Sequence, residues 1–194
     1  MEEKQSLDSK YFKDVYDASE DPWNFETSEY ESAKYAATIA ALPQKHYENV
    51  LEIGCSIGVL TALLAKLSTQ LLSTDVSQKA LDIASKRNSN LKNISFKKMI
   101  FPKELPNDQF DLIMVSEVAY YLSPADWEFA VKELYKRIAS NGNIVLVHWL
   151  PEVHDYPQTG DEVHNSFEKL MKDKMFNVFS TRAENYRIDV WTKS

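Results

Sequence analysis

Three acids and a histidine carry the chemistry open to this sequence. Glu52-Ile53-Gly54-Cys55-Ser56-Ile57-Gly58 puts a carboxylate and two glycines within one short stretch, and Asp75 follows 21 positions after Gly54. Glycine permits positive φ and close approach of a ligand to the backbone, while an acid at about this spacing can accept hydrogen bonds from both hydroxyls of a ribose. Farther along, Glu117 and His148 are groups able to take a proton from a nucleophile within hydrogen-bond reach. Tyr120, Tyr121, His154 and Asp155 stand near them as weaker candidates for holding an acceptor; His46 and His164 have no assigned role. The single cysteine, Cys55, leaves no intrachain disulfide framework, and four scattered histidines lack a zinc-ligand spacing, so no structural metal is expected.

The elements around these residues read as an alternation of strands and helices. Val50, Leu51 and Ile53 form a short apolar run of the buried parallel kind, and Val59–Leu67 is apolar nearly all round, like a helix packed on a sheet. Gln70–Asp75 is the second strand, after which Ser77 caps a helix over Gln78–Arg87. With Ser77 in that role, Asp75 is free for another. Ile94–Phe96 is the third strand, and Phe110–Val115 a buried fourth beside the first. Ser116-Glu117 then falls in the crevice outside the strand ends, where open α/β sheets bind ligands. Pro124 opens a helix whose buried stripe holds Trp127, Ala130, Val131, Leu134, Tyr135 and Ile138; Asn141-Gly142-Asn143 ends it, and Ile144–Val147 is a fifth strand. His148–His164 is a proline-marked loop suited to lining a pocket, followed by a helix over Glu162–Lys174 with Val163, Phe167, Leu170 and Met171 inward. Phe176–Thr181 and Tyr186–Val190 suggest a closing antiparallel hairpin.

Glu52-x-Gly54-x-Ser56-x-Gly58 lacks the G-x-G-x-x-G of nicotinamide and flavin domains. It resembles motif I of the class I S-adenosylmethionine-dependent methyltransferases, usually (D/E)-x-G-x-G-x-G, with Ser56 in place of the middle glycine. The other reading of this heptapeptide is an ordinary strand-to-helix turn. The methyltransferase resemblance implies a Rossmann-like α/β fold with a seven-stranded, mostly parallel sheet in the order 3-2-1-4-5-7-6 and helices on both faces. It also implies S-adenosylmethionine as cofactor and S-adenosylhomocysteine as product. Glu52, Gly54, Cys55, Ser56, Gly58, Asp75, Val76 and Ser116 then fall at cofactor positions. Many members carry an acid after the third strand, yet here stands Lys98-Met99-Ile100-Phe101. Met99, Ile100 and Phe101 flank the adenine or belong to the core.

Ahead of the first strand, Tyr11, Phe12, Val15, Tyr16, Trp23, Phe25 and Tyr30 alternate with acids. This segment reads as a hydrophobic latch on the sheet, as a lid that excludes water, or as both. Met1–Asp8 is charged and expected to fray. Ser28 and Glu31 form a capping box for a helix running through Lys34, Tyr35, Ile39 and Leu42. Asp21-Pro22-Trp23-Asn24-Phe25 with Ser28-x-Tyr30-Glu31-x-x-Lys34-Tyr35, and later H-W-x-x-x-x-x-D-Y-P-x-T-G-D-E-V-H from His148 to His164, resemble the nodulation-protein-S-like branch of these methyltransferases. That resemblance makes Trp23 and Tyr30 cap residues and Lys34 the partner of the methionine carboxylate. A surface pair of Lys34 with Glu31 is the alternative.

Length and composition bound the rest. At 194 residues and 44% hydrophobic content the chain suits one domain, with an N-terminal aromatic cap and helix over 1–45 and a core over 46–194. A net charge of −7 and a pI near 5.2 lack the basic footprint of a nucleic-acid binder. No membrane span or signal peptide is visible, so a cytoplasmic location is expected; the oligomeric state is not legible.

The implied reaction is in-line methyl transfer, with a nucleophile aligned and water kept away. By resemblance the small-molecule acceptor is the amine of a deacetylated glucosamine unit. O-methylation of a polar metabolite or glycan, and a cofactor-binding protein that transfers nothing, are the competing readings. For an amine, His148 is the first candidate base and Glu117 the second, although a histidine at a strand end can equally be structural.

Overall fold

A computed structural model of the chain describes residues 4–194. Seven strands form one sheet in the order β3-β2-β1-β4-β5-β7-β6, the order implied by the methyltransferase resemblance. They are β1 (Tyr47–Ile53), β2 (Ser68–Asp75), β3 (Ile94–Lys98), β4 (Phe110–Ser116), β5 (Ile138–Trp149), β6 (Met175–Arg182) and β7 (Tyr186–Lys193). The first five pair in parallel, and β7 runs antiparallel between β5 and β6. The helices are α1 (Ser9–Ala18), α2 (Glu29–Ala40), α3 (Val59–Leu64), α4 (Gln78–Arg87), α5 (Pro124–Arg137) and α6 (Gly160–Met171).

The sheet has a core on each face. Val50, Leu112, Met114, Val145 and Val147 pack under Tyr35, Leu60 and Leu64 on one side. Leu51, Ile53, Ile113, Val115, Ile144 and Leu146 meet Trp127, Val131, Val163 and Phe167 on the other. Central parallel strands covered on both faces can therefore be apolar at nearly every position. Trp127 is fully buried, and its indole N–H donates to the Val163 carbonyl at 3.1 Å.

Several element boundaries, and one cap, differ from the sequence reading. The fifth helix ends at Arg137, and Ile138 already belongs to β5. Ile138 pairs with Phe110 and Asn143 with Leu112, so the residues between bulge out of the ladder, with Asn141 at φ 61°. Turn-forming residues here mark a bulge rather than a helix end. The sixth helix begins at Gly160, where Thr159 and Glu162 form a full capping box. At Ser28 only half of the expected box is made: Ser28 accepts from the Glu31 N–H, while the Glu31 carboxylate turns to Lys34.

The expected fraying of residues 1–8 lies partly outside the described residues. Ser6 to Asp8, however, are tied down. The Leu7 N–H donates to the Tyr121 carbonyl at 2.9 Å, the Ser123 N–H to Ser6 Oγ at 2.8 Å, and Asp8 caps α1. Among the described residues no helix is long and apolar enough to cross a membrane.

Candidate functional site

A cavity of about 700 Å³ opens at the carboxyl ends of β1, β2, β4 and β5, beneath α1 and α2. Its floor is the turn between β1 and α3, where Gly54 and Ser56 have φ of 78° and 48°; Gly58, at φ 80°, lies outside the cavity lining and packs against Ala84 and Asn88 at the end of α4. A side chain at Gly54 would put its Cβ 2.1 Å from Val118 Cγ2, so only glycine fits there. Ser56 takes up the left-handed conformation despite its side chain, and its Oγ accepts from the Tyr16 hydroxyl at 2.6 Å. Tyr16 is buried and packs edge-on against Trp23, which lies at 5.5 Å from Phe25. Phe12, Tyr16 and Trp23 thus pack on the core, as the latch reading expects, and also line the cavity.

Asp75, at the end of β2, is less free than its sequence position suggests. Its carboxylate accepts from the Ser56 N–H and the Ser77 N–H, each at 2.9 Å, and ties the two turns together. Burial raises its pKa to about 6, against the pull of the Ser77, Ser56 and Val76 N–H groups. Glu52 is held lower in the sheet, where one oxygen accepts from Thr61 and Ser73 at 2.7 Å each. Burial pushes its pKa to about 7 although both hydroxyls oppose the shift. Cys55, Val76, Met99, Ile100, Phe101 and Ser116 also line the cavity, with Met99 buried and Ile100 exposed.

The opposite wall is organised by Glu117. It stands just past β4 at φ 57°, an uncommon conformation for a residue with a side chain and one that cavities of this kind often hold. One oxygen accepts from Lys34 Nζ at 2.6 Å; the other accepts from the Tyr120 hydroxyl at 2.5 Å and the Trp149 N–H at 2.9 Å. Lys34 also donates to Glu31 at 3.0 Å and is 1% exposed, so its pairing with Glu31 is real but buried. Burial lowers the proton affinity of Lys34, yet Glu117 and Glu31 outweigh it and the pKa is raised. Burial raises the Glu31 pKa against the pull of Lys34, so the ammonium is held between two carboxyl groups of which Glu31 is the one pushed toward its neutral form. Tyr30, Trp149, Tyr120 and Tyr156 surround this cluster, with Tyr120 stacked on Tyr156 at 5.0 Å.

His148 is not in that wall. It is fully buried behind it, where Nε2 accepts from the Ala119 N–H at 3.1 Å and Nδ1 lies 3.1 Å from His164 Nε2. His164 Nδ1 in turn lies 2.7 Å from Asp189, which also accepts from Ser180 at 2.6 Å. An acceptor Nε2 makes Nδ1–H the donor on a neutral His148, and the same assignment then passes to His164. Burial, then the neighbouring His164 and Lys34, hold the His148 pKa well below its usual range. With both nitrogens engaged inside the core, His148 is the structural group and not a base facing an acceptor. His154 and Asp155 are exposed and also lie outside the cavity lining; Val153 and Tyr156 from the same loop line it instead. Tyr120 and Tyr121 do line it, the latter 3.3 Å from the Tyr156 hydroxyl. Tyr156 had no sequence signal beyond its place in the loop and in the D-Y-P of the family-like run. Among the described residues no group of three or more metal-ligating side chains converges.

The family model for nodulation protein S matches residues 6–153, well over half of the chain. The chain belongs to the nodulation protein S family. Nodulation protein S of Rhizobium tropici is 32% identical over 66% of this chain, but the matched stretch is 55% of that relative's length. Phosphoethanolamine N-methyltransferase 1 of Caenorhabditis elegans is 28% identical over 77% of this chain and 31% of its own. The crystal structure of N-methyltransferase NodS from Bradyrhizobium japonicum WM9, in complex with S-adenosyl-L-homocysteine, superposes with a TM-score of 0.84. It covers 95% of this chain and 97% of its own at 21% identity, and so shares the class I methyltransferase fold.

Proposed function

We propose that this nodulation protein S relative is an S-adenosylmethionine-dependent N-methyltransferase acting on an amine-bearing small molecule, an amino sugar being the acceptor class most in keeping with its family. The observation that carries the reading is the juxtaposition, in one cavity, of the left-handed turn at Gly54 and Ser56 with Asp75 and of the buried Lys34–Glu31–Glu117 cluster with its aromatic surround.

The residues present fit the cofactor. The Gly54 turn lets a ligand lie against the backbone, Asp75 and Val76 stand where a ribose would meet them, and Met99, Ile100 and Val118 offer apolar surface to an adenine. Lys34, now paired with Glu31 and Glu117, would meet the methionine carboxylate by exchanging one of these partners for it. When bound, S-adenosylmethionine supplies a methyl group already activated on a sulfonium. The chain's contribution is then to orient, to exclude water and to handle one proton. Phe12, Tyr16 and Trp23 cover the turn and keep water out. Glu117 draws a cationic amine into the aromatic corner, orients it and is the carboxylate placed to receive its proton.

Calorimetric titration with S-adenosylmethionine, S-adenosylhomocysteine and NAD tests the cofactor half. Binding of the first two without NAD supports it; a folded protein that binds neither would overturn it. O-methylation and a non-catalytic binding role are the alternatives.

A further inference from the structure

The buried histidine chain has two ends of fixed polarity. At one end is the Ala119 N–H, which can only donate; it opens the single helical turn Ala119–Tyr121 and is buried, with His148 Nε2 as its acceptor. At the other end is Asp189 of β7, fully buried and ion-paired with Arg187 at 2.9 Å, so that it accepts only. Ser180 of β6 donates to its second oxygen. Ala119 demands an unprotonated Nε2 on His148, and Asp189 demands Nδ1–H on His164. With the two rings 3.1 Å apart, these demands admit one arrangement of the two ring protons. The chain thus runs from the edge strand β6 through β7, α6 and β5 to the turn after β4.

What it reaches is the segment that carries the carboxylate of the acceptor wall. Glu117, at φ 57°, holds a conformation that persists only where its surroundings over-determine it. Its own N–H is anchored on the Val147 carbonyl at 2.8 Å, and the Ala119 N–H two residues on is the next anchor. Tyr120, which donates to Glu117, sets its ring edge-on to His148 at 5.2 Å. A His148 protonated on Nε2 would meet the Ala119 N–H donor to donor, and the segment would have to shift. We propose that Asp189 and His164 are positioning residues for methyl transfer, which fix the His148 tautomer and through it hold Glu117 and Tyr120 in place. This rests on the N-methyltransferase reading above, in which Glu117 receives the amine's proton. Neither residue lines the cavity, so their effect falls on the rate and not on cofactor binding.

Two replacements of His164 separate positioning from packing. His164→Gln preserves the polarity, since its amide oxygen can accept from His148 while its NH2 donates to Asp189; His164→Leu breaks it. Nitrogen-15 spectra of the histidine rings, with S-adenosylhomocysteine bound, read the tautomers directly. Wild type is expected to carry Nδ1–H and an unprotonated Nε2 on both His148 and His164; Nε2–H on His148 would overturn the inference. Single-turnover methyl transfer from S-adenosylmethionine to glucosamine is expected to slow by about tenfold or more in His164→Leu, and to stay within about threefold of wild type in His164→Gln. Calorimetric affinity for S-adenosylhomocysteine should be unchanged in both. Equal rates in all three proteins contradict the inference, as does an equal slowing in both variants or a parallel loss of S-adenosylhomocysteine affinity. If His164→Leu does not fold, His164→Phe, which keeps a ring in that space, takes its place. A wild type that binds S-adenosylhomocysteine but transfers nothing to glucosamine would end the amine reading and this inference together, whereas loss of the contrast between variants ends the inference alone.

Discussion

Lys34 Nζ and Glu117 Oε1 lie 2.6 Å apart across 83 positions of sequence, and this pair joins α2 to the end of β4 inside the cavity wall. With Glu31 it forms a trio in which Lys34 is the only cation. A buried ion pair adds little compared with an apolar replacement, but breaking one by removing a single partner strands a charge.

Lys34→Met is therefore expected to destabilise the protein by about 3–5 kcal/mol in denaturant titration, since both carboxylates lose their partner. The triple replacement Lys34→Met, Glu31→Gln, Glu117→Gln should recover much of that loss. Equal instability of the two variants would show that packing, not charge, governs this corner.

Glu52 and Asp75 couple stability to pH in the direction opposite to ordinary surface carboxylates. Their folded-state pKa values, about 7 and about 6, lie above the unfolded ones, so the folded protein binds their protons more tightly. Stability from these two groups is complete below about pH 4 and is lost as pH rises through 6 and 7. Glu52→Gln should thus flatten the decline in unfolding free energy between pH 5 and pH 8; an unaltered slope would place the titration elsewhere.

The histidine chain acts with the other sign. His148 and His164 have folded pKa values depressed first by burial, so they take up protons only on unfolding. Their stabilisation is present above about pH 6.5 and falls as pH drops below it. His148→Gln is expected to lower stability and reduce proton uptake on unfolding at pH 5, while leaving the pH profile of turnover unmoved. A shift in the acid limb of that profile would restore His148 as a base.

Asp75→Ala should weaken S-adenosylhomocysteine binding at least tenfold in calorimetry, because it removes the proposed ribose contact and also the tie between the Ser56 and Ser77 turns. Asp82→Ala, on the exposed side of α4, serves as the control and should bind like wild type.

The strands themselves, the Gly54 turn and the placement of Asp75 were legible because they rest on local signals: apolar runs, glycines and a spacing set by one βα unit; the order of the strands in the sheet came only with the family resemblance. Lys34 was legible as a special residue only through family resemblance, and its tie to Glu117 depends on tertiary packing that no periodicity reveals. His148 misled for the same reason. A histidine at the end of a central strand looks the same in sequence whether it faces a cavity or, as here, points behind it toward His164. Asn141-Gly142-Asn143 has the composition of a helix stop, but the pairing of β4 with β5 makes it a bulge. Tyr156 emerges as a cavity residue only when loop and helix are folded together.

The most direct measurement is methyl transfer from methyl-labelled S-adenosylmethionine to glucosamine and its short deacetylated oligomers, with the labelled product resolved by NMR. Label on nitrogen, lost in Glu117→Gln while S-adenosylhomocysteine still binds, is the predicted result. Label on oxygen, or no transfer to any of these amines by a protein that binds S-adenosylhomocysteine, would contradict the account.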